Sequence, residues 1–439
     1  MMLAAVSAVL ASACVAPPAA RPAVQPTTQP ASASSSGAAA QPVTLNVLVE
    51  GGGFQLQEEI AKRFEKETGN KVNFVQVPYP QVFEKLTAEM ASGGSSFDVV
   101  TMDVVWIPAF AQFAEPLDAL FTADVKKDIF PSLLADAQFG GKFVGMPTWA
   151  NAEILFYRKD LFEDPKEQAA FKTKYGYELH PPKTWQEFTD TAIFFTRDTN
   201  SDGKPDLYGT DVKGLVETEW LAHVLQAGSP GVVFDADSKL IIDNPAHVEA
   251  LKFYTDLHCK YKVNPPNVNE VDWGVAQNLF YQGQTAMMRF WAHAYRLTPK
   301  DSKVEGRVGV APMIGGSGGV GAIPGPWYNM IPTTGKNKEV AKQFVKFAYE
   351  NNVLGIEAPL GLAARQSAYA GYADKKGFEH FNPLIETLSA KQTIGRPLVK
   401  NWQEITDEVL VPLVQEALTC KTTPEAVLAN ARKKIEQMK

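Results

Sequence analysis

The hydrophobic pattern that begins at residue 43 alternates between the period of a strand and the period of a helix. Val43 to Val49 alternates as a short strand, Gly51 to Phe54 predicts a turn, and apolar residues from Leu56 to Phe64 recur at helical spacing. After a second strand and helix, residues 97–106 (FDVVTMDVVW) form a nearly continuous apolar run, which is typical of a strand covered on both faces. This β-α-β-α-β order predicts a largely parallel sheet whose ligands lie beyond the carboxyl ends of the strands.

Residues 145–162 (GMPTWANAEILFYRKDLF) have a different pattern, that of a segment crossing between two parts of a protein. A tight Gly-Met-Pro turn is followed by a short polar crossing at Thr148 to Asn151, an apolar strand at Ile154 to Tyr157, and a helix start at Arg158 to Phe162. Such a segment can leave one lobe and enter another.

The later part of the chain contains further strands and helices of this kind. Residues 279–297 (LFYQGQTAMMRFWAHAYRL) predict a helix, a glycine turn and a strand that ends near Trp291. A strand at Trp327 to Ile331 and an amphipathic helix at residues 336–351 follow. The glycine-rich residues 315–321 match two short enzyme patterns, but those patterns require a helix immediately afterwards, and prolines follow here, so a flexible loop is expected.

The length of the chain and its net charge restrict the number of lobes and the classes of partner that can be expected. The 439 residues are enough for more than one hydrophobic core, because single cores stop growing at about 250 to 300 residues. Two lobes is the simplest division. The formal net charge of −7 provides no basic surface for phosphate groups, so no nucleic-acid partner is expected.

The N-terminal residues are typical of an exported protein. Residues 1–14 are an apolar run that is too short to span a membrane and predict a signal peptide. Ala11 to Cys14 resembles a bacterial lipobox, in which the cysteine is lipidated; cleavage after Ala13 with an unmodified Cys14 is the alternative. Residues 15–42 are rich in Pro, Ala and Ser and predict a disordered tether.

Two further cysteines, Cys259 and Cys420, fall in the same predicted lobe. Export makes a disulfide between them possible, and two buried thiols are the alternative.

An Asp-rich segment has the spacing of a calcium-binding loop. Its candidate ligands, at positions 1, 3, 5 and 9 of the loop, are Asp198, Asn200, Asp202 and Asp206. Gly209 occupies the twelfth position, where a bidentate Glu is expected, so a polar turn without metal is the alternative.

Several of these segments, taken in order, resemble the extracellular solute-binding proteins of ABC importers, specifically the carbohydrate-binding family that includes the maltose-binding proteins. They are the G-x-P turn with LFYRKDLF, residues 97–106, the pattern F-x-x-G-x-x-A-M-x-x-x-W that ends at Trp291, GLAARQSAY, and the closing RPLVKNW and TPEAVL segments. The resemblance extends from Val43 to the C-terminus. It implies an α/β fold of two lobes, each a mostly parallel sheet flanked by helices, joined by hinge strands. The implied N-terminal lobe is 43–149 plus 326–372, and the C-terminal lobe is 150–325 plus 373–439.

The resemblance also implies a ligand site between the lobes. The residues it implies as ligand-binding are Asp103, Trp106, Trp149, Asn151, Glu217, Trp220, Trp291, Trp327, Arg365 and Trp402. Trp149 and Asn151 share one face of the crossing strand by alternation, so a ring and an amide come from one segment. Core packing is the alternative for the tryptophans, a helix cap for Asp103, and pairing with an acid for Arg365.

The implied function is capture of a sugar or polyol and delivery to an ABC permease, without catalysis. The protein is expected to be a monomer held by a lipid anchor at the outer face of the cytoplasmic membrane or in the periplasm, with no cofactor other than a possible structural calcium ion. Tryptophan faces suit the C–H patches of sugars, and Asp, Asn, Glu and Arg suit their hydroxyl groups.

Two other functions are considered. A glycoside-active enzyme of the envelope needs two carboxylates about 5 to 9.5 Å apart across the cleft, for which only Asp103 and Glu217 are available. A binding protein for another solute, such as glycerol phosphate, needs clustered cations, and the sequence offers only Arg365. The six histidines show no metal-ligand spacing.

Overall fold

The computed structural model describes residues 41–372 and 374–438, apart from the side chain of Pro80. The predicted signal peptide, the lipobox with Cys14 and nearly all of the predicted tether lie outside the described residues. Within the described ranges, no helix is long and apolar enough to cross a membrane.

Strands and helices alternate along the chain. The longer strands are β1 (Thr44–Glu50), β2 (Lys71–Val77), β3 (Val99–Asp103), β4 (Met146–Trp149), β5 (Glu153–Arg158), β6 (Met287–Trp291), β7 (Val308–Ala311) and β8 (Trp327–Met330). The helices of six or more residues are α1 (Gly51–Thr68), α2 (Tyr79–Ser92), α3 (Ala123–Asp128), α4 (Pro131–Asp136), α5 (Pro165–Tyr175), α6 (Trp185–Phe195), α7 (Thr218–Gln226), α8 (Pro245–Cys259), α9 (Trp273–Tyr281), α10 (Lys338–Glu350), α11 (Phe381–Ser389), α12 (Val411–Ala417) and α13 (Pro424–Gln437).

The first sheet has the order β2-β1-β3-β8-β4. Strand β1 is parallel to β2 and β3, as the β-α-β pattern predicts. Strand β8 is antiparallel to both β3 and β4, so the other four strands run in one direction and the sheet is largely parallel as expected, with β8 the exception. The reason lies in the direction of the chain, since β3 and β4 end where β8 begins: Trp327 pairs with Asp103 on one side and with Trp149 on the other.

The second sheet, β6-β5-β7, is antiparallel throughout, because both neighbours of β5 run against it. The expectation of a mostly parallel sheet is wrong for this part of the chain. Its central strand β5 follows β4 after only residues 150–152, so the chain passes directly from the first sheet to the second. Trp291, the last residue of β6, pairs with Glu153, the first residue of β5. The chain therefore crosses between the sheets close to the predicted Thr148 to Asn151. The tight turn predicted at Gly145 to Pro147 is wrong, because Met146 and Pro147 lie in strand β4. The lobe boundaries remain predictions.

The turn predicted at Gly51 to Phe54 is replaced by the first turn of helix α1. The Glu50 carboxylate accepts hydrogen bonds from the backbone N–H groups of Gly52 at 2.7 Å and Gly53 at 3.1 Å. Because this cap satisfies donors that a helix start leaves free, glycines are tolerated there and the helix begins early.

Two hydrophobic clusters hold the sheets and helices together. One surrounds the first sheet and includes Phe64 and Phe344, whose ring centroids are 5.3 Å apart. The other contains Trp220, Tyr254 and Trp402 among the helices of the C-terminal half. The helices that carry these residues therefore bury their apolar faces against two separate centres.

Cys259 and Cys420 form a disulfide with their Cα atoms 5.6 Å apart. It joins the end of helix α8 to the turn after helix α12, and it decides between the two alternatives that the sequence left open.

Candidate ligand-binding site

A cavity of about 360 Å³ lies where the ends of β3 and β4 and the start of β8 meet the second sheet. It is lined by Tyr79, Asp103, Trp149, Asn151, Glu217, Thr218, Trp273, Trp291, His293, Gly325, Trp327 and Arg396. Six of the ten residues expected to contact a ligand are among them: Asp103, Trp149, Asn151, Glu217, Trp291 and Trp327. A smaller apolar pocket, lined in part by Trp149, Trp327 and Leu360, adjoins this cavity.

Aromatic rings form two walls of the cavity. On the side of the first sheet, the ring centroids of Trp327 and Tyr79 are 5.9 Å apart, and the Trp149 indole N–H donates to the Leu360 carbonyl at 3.1 Å. On the side of the second sheet, the centroids of Trp273 and Trp291 are 5.5 Å apart. Flat apolar surfaces on both sides suit the C–H faces of a sugar ring or polyol chain.

Gly325 allows the Trp291 ring to take its place in the wall. A Cβ atom on Gly325 would lie 2.9 Å from Cζ3 of Trp291, a distance at which one of the two must move. The Gly325 N–H donates to the Asn151 carbonyl at 2.9 Å, so the backbone that returns to β8 is tied to the crossing segment.

Asp103 is the most heavily engaged carboxylate of the cavity. It accepts from the Tyr79 hydroxyl at 3.0 Å and from the Val105 N–H at 3.3 Å, and Nη2 of Arg396 lies 3.5 Å from its Oδ1. The helix-cap alternative is therefore observed together with the position in the cavity, since Asp103 caps the 3-10 turn Val104–Trp106. One side chain caps the local turn and also lines the cavity.

Glu217 lies immediately before helix α7 and makes no ion pair within the described ranges. Burial raises the pKa of its carboxyl group, and the positive charge of Arg396 opposes that rise. Glu217 is thus a carboxylate in the cavity wall that lacks a cation of its own.

Three polar atoms of residues in the cavity wall are buried without a hydrogen-bond partner. They are Oδ1 of Asn151, Oγ1 of Thr218 and Nε of Arg396. Such groups are few in folded proteins, and a site that awaits a ligand is one physical reason for them.

His293 completes the polar part of the wall. Its Nδ1 lies 2.9 Å from the amide nitrogen of Asn151, and burial lowers its pKa to about 4. The ring is therefore neutral at pH 7, its Nδ1 accepts from Asn151, and its Nε2–H is free to donate.

The other four residues expected at the ligand do not line the cavity. Trp106 is buried behind the wall, with its ring centroid 4.9 Å from that of Tyr79 and 5.7 Å from that of Trp327. Trp220 and Trp402 lie in the second hydrophobic cluster, which is the core-packing alternative. Arg365 pairs with Asp128 at 2.8 Å, which is the acid-pairing alternative stated for it.

Sequence reasoning did not find six residues that line the cavity: Tyr79, Thr218, Trp273, His293, Gly325 and Arg396. Arg396 stands in the RPLVKNW segment, where the motif itself could have pointed to it. Tyr79 and Trp273 are the first residues of helices α2 and α9, and no local pattern marks a helix start as part of a cavity.

The Asp-rich loop forms a tight turn built on its own carboxylates. Asp198 accepts from the backbone N–H groups of Ser201 and Gly203, and Asp206 accepts from the backbone and hydroxyl of Thr199. The described residues contain no group of three or more His, Cys, Asp or Glu side chains that could hold a metal ion. These hydrogen bonds form a polar turn, and the choice between a calcium site and a metal-free turn stays a prediction.

The family model for bacterial extracellular solute-binding proteins matches residues 50–353. A probable ABC transporter-binding protein of Deinococcus radiodurans is 28% identical over 426 residues, which cover 92% of this chain and 96% of that protein. The structure of a maltose-bound MalE3 of T. maritima is 28% identical and covers 90% of this chain and 100% of its own, with a TM-score of 0.71. A ribitol-bound ABC transporter solute-binding protein of Agrobacterium radiobacter is 25% identical, with 90% and 99% coverage and a TM-score of 0.70.

Proposed function

Because this chain belongs to the family of bacterial extracellular solute-binding proteins, we propose that it captures a sugar or polyol in the cavity and delivers it to an ABC permease. Maltose and ribitol in the two similar structures support this class of solute. The proposed role is binding and release, without a chemical step.

The observation that carries the proposal is the combination of aromatic walls with unpartnered buried polar atoms. The oxygens of Asn151 and Thr218 and the nitrogen of Arg396 lack partners, while the rings of Trp327 and Trp291 flank the same cavity. Hydroxyl groups of a solute would satisfy the polar atoms, and its C–H faces would cover the rings. A solute that contacts residues of both sheets would stabilise the arrangement in which the two sides of the cavity lie close together, relative to one in which they are farther apart.

The remaining parts of the proposal concern where the protein works. We expect a monomer that is exported and held at the outer face of the membrane through lipidated Cys14. Cys14→Ala should move the protein from the membrane fraction to the soluble fraction, because a lipid chain and its hydrophobic burial are lost. Unchanged membrane association of that variant would contradict the anchor.

Thermal-shift measurements against a panel of mono-, di- and trisaccharides and polyols test the function. A ligand at about 100 times its Kd stabilises the folded state by about 2.7 kcal/mol, which raises Tm measurably. Analysis of the same mixtures for products separates the binder from a glycoside-active enzyme that uses Asp103 and Glu217. Saturable binding with intact ligand supports the proposal, whereas turnover, or no shift across the panel, contradicts it.

A further inference from the structure

The charges around the cavity do not balance. Arg396 is the only cationic side chain among the residues that line it, and it lies beside Asp103. Its charge also acts on the carboxyl groups of Asp136 and Glu217. One guanidinium group therefore faces three carboxyl groups, and His293 adds no positive charge because it is neutral at pH 7.

Asp136 belongs to this group although it lies behind the cavity wall. It is buried at the end of helix α4, and its Oδ2 has no partner. A Cβ atom on Gly395 would lie 2.5 Å from both carboxylate oxygens of Asp136, so the backbone next to Arg396 packs directly on this acid. Burial raises the pKa of Asp136 to about 7 against the opposing charge of Arg396, so this carboxyl group is about half ionised at pH 7.

Lys213, a basic residue behind the cavity wall, does not neutralise the carboxyl groups at the cavity. Lys213 lies behind Trp273, with its Nζ 5.0 Å from the ring centroid. That lysine is already paired with Asp211 and Glu219 in a fully buried cluster. The excess of acid at the cavity is therefore not cancelled by the layer behind it.

The walls of the cavity are suited to a positive charge. Indole faces attract ammonium groups, most strongly when water is excluded, and Trp is the strongest of the aromatic residues in this respect. Trp273 and Trp291 share the cavity with the unpaired Glu217, so a cation there would meet both rings and a carboxylate.

We infer that the preferred solute carries a protonated amine, so that an amino sugar or an aminopolyol binds in preference to the neutral molecule of the same shape. The inference rests on the proposed function, since it specifies the solute of that same cavity. The ammonium group pairs with Glu217 between the rings, and the hydroxyl groups of the solute take the positions already described.

Pairs of solutes in which one or two amines replace hydroxyl groups of the same molecule test the inference. The pairs are D-glucosamine with D-glucose, 1-amino-1-deoxy-D-sorbitol with D-sorbitol, and the β-1,4-linked glucosamine disaccharide with cellobiose. Titrations followed by tryptophan fluorescence at pH 7, at about 20 mM and about 200 mM salt, give Kd for each. In at least one pair the amine should bind about ten- to a hundredfold more tightly, as a charge-assisted hydrogen bond provides, with a smaller ratio at high salt.

Glu217→Gln tests the pairing itself. The ratio between amine and neutral solute should fall to about threefold or less, while Glu425→Gln, which removes an exposed carboxylate of helix α13, should leave the ratio unchanged. Asp103→Asn serves as a second variant if Glu217→Gln does not fold, and it too should reduce the ratio.

The possible results separate the two proposals. Equal or tighter binding of the neutral member in every pair that binds overturns the amine and leaves the sugar-binding function standing. A preference for the amine that survives both Glu217→Gln and Asp103→Asn also overturns it. If no member of any pair binds while the wider panel contains a ligand, the inference fails and the proposed function stands. If the wider panel gives no shift either, both fail.

Discussion

At the scale of the single residue, Glu153 is a carboxyl group whose buried surroundings disfavour its negative charge. It is fully buried at the start of β5, and neither carboxylate oxygen has a hydrogen-bond partner. Burial, together with the negative charge of Glu219, raises its pKa to about 8, although Lys213 and Arg289 oppose the rise. With Glu153 protonated, Asp211 and Glu219 are matched by the two basic side chains, so the buried cluster is neutral.

This arrangement predicts a loss of stability as pH rises. The pKa of Glu153 is about 8 in the folded protein against 4.5 in the unfolded chain, so the folded state binds the proton more tightly. Stability contributed by the protonated group is complete below about pH 4.5, declines up to about pH 8, and changes no further above it. The slope in this window approaches about 1.4 kcal/mol per pH unit.

Glu153→Gln should remove that slope and raise the free energy of unfolding at pH 8, because the amide carries no ionisable proton. Urea denaturation between pH 5 and pH 9 measures it, with Glu425→Gln as the exposed control. Parallel pH profiles for the wild type and Glu153→Gln would show that Glu153 is ionised at neutral pH.

Trp149 and Trp220 allow packing to be separated from binding. Trp149 is half-buried in the cavity wall, whereas Trp220 is fully buried among core side chains. Trp149→Ala should weaken solute binding by about 1 to 3 kcal/mol with a small change in Tm, because a stacking surface is lost. Trp220→Ala should instead reduce the free energy of unfolding by about 3 to 5 kcal/mol. A Trp149→Ala protein that is destabilised but binds its solute normally would refute the assignment.

At the scale of the element, the hydrophobic pattern predicted most of the strands that frame the cavity. Strands β5 and β8, the strand that ends at Trp291 and the helix α10 follow from hydrophobic period and turn residues, whereas β4 occupies residues for which the sequence predicted a turn and a polar crossing. These patterns depend only on residues that are close in sequence, so they can be recognised without knowledge of the fold. Two of the six cavity residues found from sequence, Trp149 and Asn151, were also supported by strand alternation.

What the sequence did not predict depends on contacts between distant elements. The direction of β8 follows from the return of the chain from the second sheet, and the period of a strand is the same in either direction. Arg396 reaches Asp103 from nearly three hundred residues away, and Trp220 faces a core rather than the cavity because helix α7 is buried on all sides. A tryptophan on a wholly buried helix has no sequence signal that distinguishes a core from a binding site.

The loop at residues 198–206 allows a prediction for an entire turn. Its carboxylates accept hydrogen bonds from backbone N–H groups of the same loop, so they are satisfied without metal. We expect EDTA to change Tm by no more than about 1 °C, since a site that stabilised the fold would contribute through its binding free energy. A large loss of stability that calcium alone restores would show a metal site here.

At the scale of the whole molecule, one covalent link ties the C-terminal helices to the helical layer of the second cluster. The disulfide between Cys259 and Cys420 closes a loop with a sequence separation of 161 residues. A loop of this length removes much of the freedom of the unfolded chain.

Reduction, or the double change Cys259→Ser with Cys420→Ser, should lower the free energy of unfolding by about 2 to 5 kcal/mol. Chemical denaturation with and without reductant measures it, and the double variant, which should not respond to reductant, is the control. An equal response of both proteins would place the effect of the reductant elsewhere.

The position of β8 between β3 and β4 also determines the order in which the protein can assemble. The buried hydroxyl of Thr101 on β3 bonds to Asn329 on β8, which follows it by 228 residues. When β1 to β4 have left the ribosome, β3 still has an open edge, and strand β8, which fills it, comes only after the second sheet has been synthesised. Contacts this distant in sequence slow folding and leave strand edges open to wrong partners. The N-terminal part of this protein cannot complete its sheet during synthesis, so the chain remains open to export and to chaperones until most of its length exists.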